Sequence, residues 1–134
     1  MASPTHRVTR SIYSDGRIVT DNKTYTGSLN VSVDTTDDKI LAAAVDQVIN
    51  IAIDVSELKS IIITSDEDIT IETNNTASGS ADDILTIVAD VPYIWTTDDQ
   101  DTCLLTVDVT VMYCTNAGAT DATLKIEALI DATP

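Results

Sequence analysis

The chain of 134 residues contains no phenylalanine, one tryptophan, one histidine, two cysteines, four glycines, and seven lysines and arginines against 22 aspartates and glutamates. Each shortage excludes something. With so few aromatic rings, a core has to be built from aliphatic side chains. Nucleophilic catalysis of the Ser-His-Asp or Cys-His kind needs an imidazole beside the nucleophile, and the one imidazole, His6, lies in the leading segment. The chain is expected not to be an enzyme and to carry no catalytic residues. No stretch approaches the ~20 apolar residues of a membrane span, and no apolar leader follows Met1, so synthesis in the cytoplasm as a soluble protein is expected. The net charge of −15 argues against nucleic acid and against anionic membranes as partners.

The acids are numerous but sit in turns or between apolar residues, where solvation explains them better than a pair of catalytic carboxylates. Asp66-Glu67-Asp68 and Asp98-Asp99-Gln100-Asp101 lack the glycine and the distal glutamate of a helix-loop-helix calcium site, so no metal and no other cofactor is expected.

What is abundant is threonine, valine and isoleucine, the residues of pleated, half-buried surfaces. Leu105, Val107, Val109, Val111 and Tyr113 share one parity with Thr106, Asp108 and Thr110 between them, and after the turn-prone Thr115-Asn116-Ala117-Gly118-Ala119 the alternation resumes as Ala122, Leu124, Ile126, Ala128 and Ile130. The pair reads as an antiparallel hairpin. Ile61-Ile62-Ile63 and Ile69-Thr70-Ile71 around Ser65-Asp66-Glu67-Asp68 read as a second one. Tyr25 to Asp34 and Ile49 to Val55 also alternate, Ile84-Leu85-Thr86-Ile87-Val88 suits a further strand, and Thr35-Thr36-Asp37-Asp38 breaks the pattern. Ile40 to Val45 fits a strand, an irregular approach or one face of a short helix. If Cys103 to Cys114 is one continuous strand, the cysteines face opposite ways about 36 Å apart and stay unpaired. Short strands at roughly ten-residue spacing predict an all-β fold, a two-sheet β-sandwich with a jelly roll as one form of it.

Charge divides the chain. Residues 1–23 hold Arg7, Arg10, Arg17 and Lys23 against Asp15 and Asp21, and the remainder carries a net −17. The reading is a basic N-terminal arm, 1–23, before a sandwich domain, 24–134. Thr5 to Tyr13 mixes basic and β-branched residues without a clean dry face, and Ser14-Asp15-Gly16 offers a turn, so the arm is either extended or an edge hairpin. It has three places to lie: an acidic patch of its own domain, a sister subunit or a larger assembly. Tyr93 and Trp95, beside an acidic loop, form a candidate surface-binding loop whose other reading is a Trp closing one end of the sandwich.

In order along the chain, Asp54-Val55-Ser56-Glu57-Leu58-Lys59, Ser65-Asp66-Glu67-Asp68-Ile69-Thr70-Ile71-Glu72-Thr73-Asn74, Val91-Pro92-Tyr93-Ile94-Trp95, Asp108-Val109-Thr110 with Tyr113-Cys114-Thr115-Asn116, and Asp131-Ala132-Thr133-Pro134 together resemble small virion proteins of tailed bacteriophages, over about residues 50–134. The resemblance implies a capsid decoration or cement protein: a β-sandwich on the capsid exterior of the virion, made in the host cytoplasm, that binds the mature head and stabilises it. Its implied partners are the major capsid protein and further copies of itself, as a homo-oligomer with a trimer favoured over a dimer. Arg7, Val8, Arg10, Ile12, Tyr13 and Arg17 are the arm residues expected to bind a partner. The alternatives are a receptor- or carbohydrate-binding module on the virion surface, using Tyr93 and Trp95, or a head–tail or tail structural component.

Overall fold

The computed structural model describes residues 4–27, 33–76 and 80–131. Its strands are β1 (Thr5–Ser14), β2 (Arg17–Thr26), β3 (Val33–Ile40), β4 (Gln47–Ile49), β5 (Leu58–Ser65), β6 (Ile69–Thr73), β7 (Ile84–Ile87), β8 (Tyr93–Thr96), β9 (Met112–Thr115) and β10 (Ala122–Ile130). A 3₁₀ turn at Val55–Glu57 leads into β5, capped by the Asp54 carboxylate, which accepts from Ser56 N. No helix among the described residues is long and apolar enough to cross a membrane.

β3 to β10 form two antiparallel four-stranded sheets, in the orders β3-β10-β5-β8 and β4-β9-β6-β7, while among the described residues β1 and β2 pair only with each other. Following the chain from β3, every connection crosses from one sheet to the other except the β6–β7 hairpin. That is the strand order of a jelly roll, and it sets the expected two-sheet sandwich in a definite topology.

The topology corrects both hairpins read from the sequence. β9 and β10 lie in opposite sheets, and so do β5 and β6. A tight polar turn joins strands across the sandwich as readily as within a sheet, and an inward-facing alternation looks the same in either case. The inward set of β10 is as expected: Ala122, Leu124, Ile126, Ala128 and Ile130 are all buried.

Three further expectations are corrected. The alternation from Leu105 to Tyr113 is not one strand: the ladder begins only at Met112, and the dry parity changes from Leu105 and Val109 to Met112 and Cys114. Val107, placed on the dry face by sequence, is 47% exposed. Because the segment is irregular, Cys103 and Cys114 are both buried in the core, free and unpaired, instead of facing opposite ways. Thr35-Thr36-Asp37-Asp38 does not break a strand but lies inside β3, along β10. Within the expected strand Tyr25–Asp34, β2 ends at Thr26 and β3 starts at Val33, with 28–32 outside the described residues. Leu41 to Asp46 is the irregular alternative, with Ala43 and Asp46 at positive φ.

Between the sheets lies an aliphatic core in which Ile53, Ile61, Ile63, Ile71, Leu85, Leu105, Leu124 and Ile126 are at most 1% exposed. Each such side chain contributes roughly 1.5–3 kcal/mol on burial. The irregular stretch before β9 stays in place because polar side chains replace the missing ladder. The buried Asp83 carboxylate accepts from Thr106 N at 2.8 Å, Thr106 Oγ1 at 2.6 Å and Val107 N at 3.3 Å. Asn74 accepts from Thr110 N at 2.8 Å and donates to Asp108 O at 2.8 Å. Ile53 and Val109 exchange both backbone bonds at 2.9 Å. Much of the acidity thus sits where backbone N–H groups need acceptors.

Candidate functional site

The N-terminal hairpin is organised by its turn. Asp15 (φ +48°) and Gly16 (φ +77°) both take positive φ, the signature of a two-residue type I′ turn whose twist matches the strands it joins. The register runs unbroken from Ser14↔Arg17 to Thr5↔Thr26, with Gly27 N donating to Pro4 O at 2.9 Å to close the foot.

Opposed residues share a face, so the ribbon has two sides. Thr5, Arg7, Thr9 and Ser11 with Ile18, Thr20, Asn22, Thr24 and Thr26 make an exposed, hydroxyl-rich side, on which Thr9 donates to Asn22 and the Ser11 and Thr20 hydroxyls lie 3.1 Å apart. The other side carries His6, Val8, Arg10 and Ile12 with Arg17, Asp21, Lys23 and Tyr25, and its base rests on the sandwich. A clean division therefore exists where none was expected from the sequence. Arg10 obscured it, being an ion-pairing residue among apolar ones on the docked side.

The docked contacts run from foot to midpoint. His6 Nδ1 lies 2.6 Å from Ser60 Oγ, and Tyr25, buried, donates its hydroxyl to Asp98 at 3.0 Å. Lys23 lies 3.8 Å from the same Asp98. Arg10 grips Asp99 with both terminal nitrogens, at 2.6 and 3.1 Å. Asp99 is fixed in advance, accepting from Thr96 N at 3.0 Å and Thr96 Oγ1 at 3.2 Å. The hydrogen bond from Arg10 holds the Asp99 carboxyl below the usual carboxylate range, and Asp99 in turn raises the guanidinium. Gly27 sits so close to β10 that a Cβ would lie 2.6 Å from Ile130 O and 2.9 Å from a Leu129 methyl. Leu129, on the outer face of its sheet, is fully buried yet stands outside the central core cluster.

Beyond Arg10, no hydrogen bond or ion pair among the described residues ties the ribbon to the sandwich. Four more rungs and the turn extend about 15 Å past that point at strand rise. Ile12, on the same side as the docked residues, is 69% exposed, and Ile18, on the opposite side, is 61% exposed. The docked side thus continues past the end of the surface it docks on. Of the residues expected to bind a partner, Val8 is half-buried near the foot, Arg10 is tied to Asp99, and Arg7, Ile12 and Arg17 are exposed. Tyr13 pairs with Ile18 in the ladder, and its side chain lies outside the described residues.

Tyr93 and Trp95 lie in β8, opposite Ile63 and Ile61, half-buried against the core. Their polar atoms are committed within the fold. Trp95 Nε1 donates to Asp101 O at 3.0 Å, while the Tyr93 hydroxyl accepts from Leu104 N at 3.0 Å and lies 3.7 Å from Cys103 Sγ. Burial pushes the Tyr93 hydroxyl up to about 12, and burial likewise pushes the Cys114 thiol up to about 12. Beside them is a shallow cleft of about 590 Å³ that Arg10 and Asp99 also line. The two stretches singled out by sequence therefore meet at the Arg10–Asp99 pair.

No three metal-ligating side chains converge among the described residues. Asp66 and Asp68 are engaged instead as acceptors for Thr123 N at 2.6 Å and Ala89 N at 2.8 Å. Comparison with protein-family models, with curated proteins and with solved structures finds no match. The residues that sequence reasoning missed are Asp98, Asp99, Gly27 and Leu129, which root the hairpin. Only the opposite charges of arm and body hinted at the first two.

Proposed function

We propose that the chain is a non-enzymatic capsid decoration protein whose sandwich is a rigid mount for a hairpin that reaches onto the shell. The observation that carries this reading is the overhang: a ribbon rooted on its own domain as far as Arg10, whose docked side then runs on into solvent with Ile12 exposed. An isolated two-stranded hairpin is marginal in water, so a root of this kind keeps the tip presented in one direction. Pre-organising it lowers the ordering cost of binding. The resemblance to phage virion proteins supplies the partner, the major capsid protein, and many copies on a symmetric shell would add avidity. Jelly rolls occur in capsid and lectin domains alike, so the fold by itself does not choose between cement and sugar binding. The internal commitment of Trp95 Nε1 and the Tyr93 hydroxyl favours the cement reading.

The test is co-sedimentation of the full chain with expanded phage heads that lack it, beside Ile12→Asp and Trp95→Ala variants. Saturable binding that is lost in Ile12→Asp supports the proposal. Binding untouched by Ile12→Asp moves the contact elsewhere, and no binding to any head preparation, with glycan binding lost in Trp95→Ala, replaces it with the carbohydrate-binding reading.

A further inference from the structure

The two open edges of the hairpin differ in a way that selects one kind of neighbour. Among the described residues β1 and β2 pair only with each other, so each ten-residue strand leaves one row of backbone groups without a ladder partner there. Long open edges are templates for strand addition unless something blocks them. The β1 edge carries Arg7 and Arg10 and no acid, so it offers a second copy of itself no opposite charge. The β2 edge with its turn alternates in sign as Asp15, Arg17, Asp21 and Lys23, and every described side chain from Asp15 to Thr24 is exposed.

We infer that β2 pairs antiparallel with β2 of a second copy about a two-fold axis at Val19. The ladder geometry permits it. A two-residue loop makes Ser14 and Arg17 a hydrogen-bonded pair, so Arg17, Val19, Asp21 and Lys23 turn their backbone groups towards β1, while Ile18, Thr20 and Asn22 turn theirs outward. With the axis at Val19, Ile18 bonds Thr20 of the other copy, and Gly16 meets Asn22. In that register Arg17 faces Asp21 at two symmetric places, so opposite charges meet twice across the contact.

Neighbouring registers do not do this. Moving the axis to Ile18 sets Arg17 against Val19 and leaves the attractive pair unmade, moving it to Thr20 sets Arg17 against Lys23, and moving it to Asp21 sets that acid against itself. Like charges directly opposed are destabilising, so the sequence singles out one register. The contact is isologous and closes as a dimer. It uses an edge and leaves the side carrying Ile12 uncovered, so the dimer presents two such sides next to each other. The inference stands independently of the capsid reading, since it concerns only two copies of this chain.

Sedimentation velocity of the full chain over a range of concentrations and salt tests it. The wild type is expected to show a reversible monomer–dimer equilibrium weakened by salt. Arg17→Asp alone and Asp21→Arg alone each set like charges against each other at two symmetric places and are expected to dimerise on the order of tenfold more weakly or worse. An equimolar mixture of those two variants restores both attractive pairs, so a mixed dimer should form from two chains that fail separately. The mixed dimer also shows that each variant is folded. A wild type that stays monomeric, a different closed or open-ended assembly, or single variants that dimerise as the wild type does would overturn the inference, as would a mixture that stays monomeric.

Discussion

The sandwich and the hairpin are both antiparallel β-structure, yet different forces hold them. In the sandwich each sheet covers the inner face of the other, and isoleucines at or below 1% exposure fill the space between. The hairpin has ten rungs but little burial: Tyr25 and Gly27 are buried at its foot, and its outer side is a row of hydroxyls. One region is stable because apolar side chains of both its sheets are buried between them. The other persists because a local turn sets its register and a few contacts root one half of it. On the proposed reading that division separates a mount from a probe, and it predicts that changes in the two regions differ in size and in what they disturb.

The largest effect belongs to the core. Ile126→Ala, at a fully buried position in β10, is expected to lower global unfolding free energy by about 2–5 kcal/mol in denaturant titration. Ile12→Ala at the tip is expected to change it by less than about 0.5 kcal/mol. Equal costs at the two positions would dissolve the distinction between mount and probe. Gly27→Ala acts at the joint: a methyl group 2.6 Å from Ile130 O forces the foot away from β10, at a cost of about 1–3 kcal/mol. It should release amide protection throughout the hairpin while the inner strands stay protected.

Gly16→Ala is smaller and more local. Nothing lies within 4 Å of the added methyl, so only the positive φ opposes it, at roughly 1 kcal/mol, and exchange should speed up near the turn first. Asp99→Asn comes last, at about 1 kcal/mol or less, because the Arg10 side of the pair is half-exposed and screened by solvent. Its pH counterpart follows from the depressed Asp99 carboxyl. Stability from that pair is complete above the ordinary aspartate range near pH 4, and it is lost as pH falls through the lower folded value. Rooting of the hairpin should therefore be unchanged between pH 7 and about 5 and weaken only in stronger acid. Loosening already near neutral pH would show that another group controls it.

The sequence carried the fold class because alternation reports which residues face inward, and Ala122 to Ile130 shows this directly. Pairing was less legible. Ser65-Asp66-Glu67-Asp68 and Thr115 to Ala119 look like hairpin turns but carry the chain from one sheet to the other. Leu105 to Val111 kept the appearance of a strand although Asp83 and Asn74, both distant in sequence, hold it in place of a ladder. At the candidate site, Asp15-Gly16 announced its own turn, since both residues tolerate the φ that the turn requires. The root did not announce itself, because Arg10 meets Asp99 across 89 positions and an acid-rich sequence offers many equal candidates.

The most direct test is amide hydrogen exchange of the full chain, free and again bound to expanded phage heads. The free chain should show slow exchange in β5, β6 and β10, intermediate exchange at the hairpin foot, and fast exchange from Ser11 to Thr20 apart from any protection that dimerisation confers. On binding, the gain in protection should fall on Ser11 to Thr20. Protection that appears instead on β4, β7 or the cleft beside Trp95, with the tip still exchanging freely, would contradict the account.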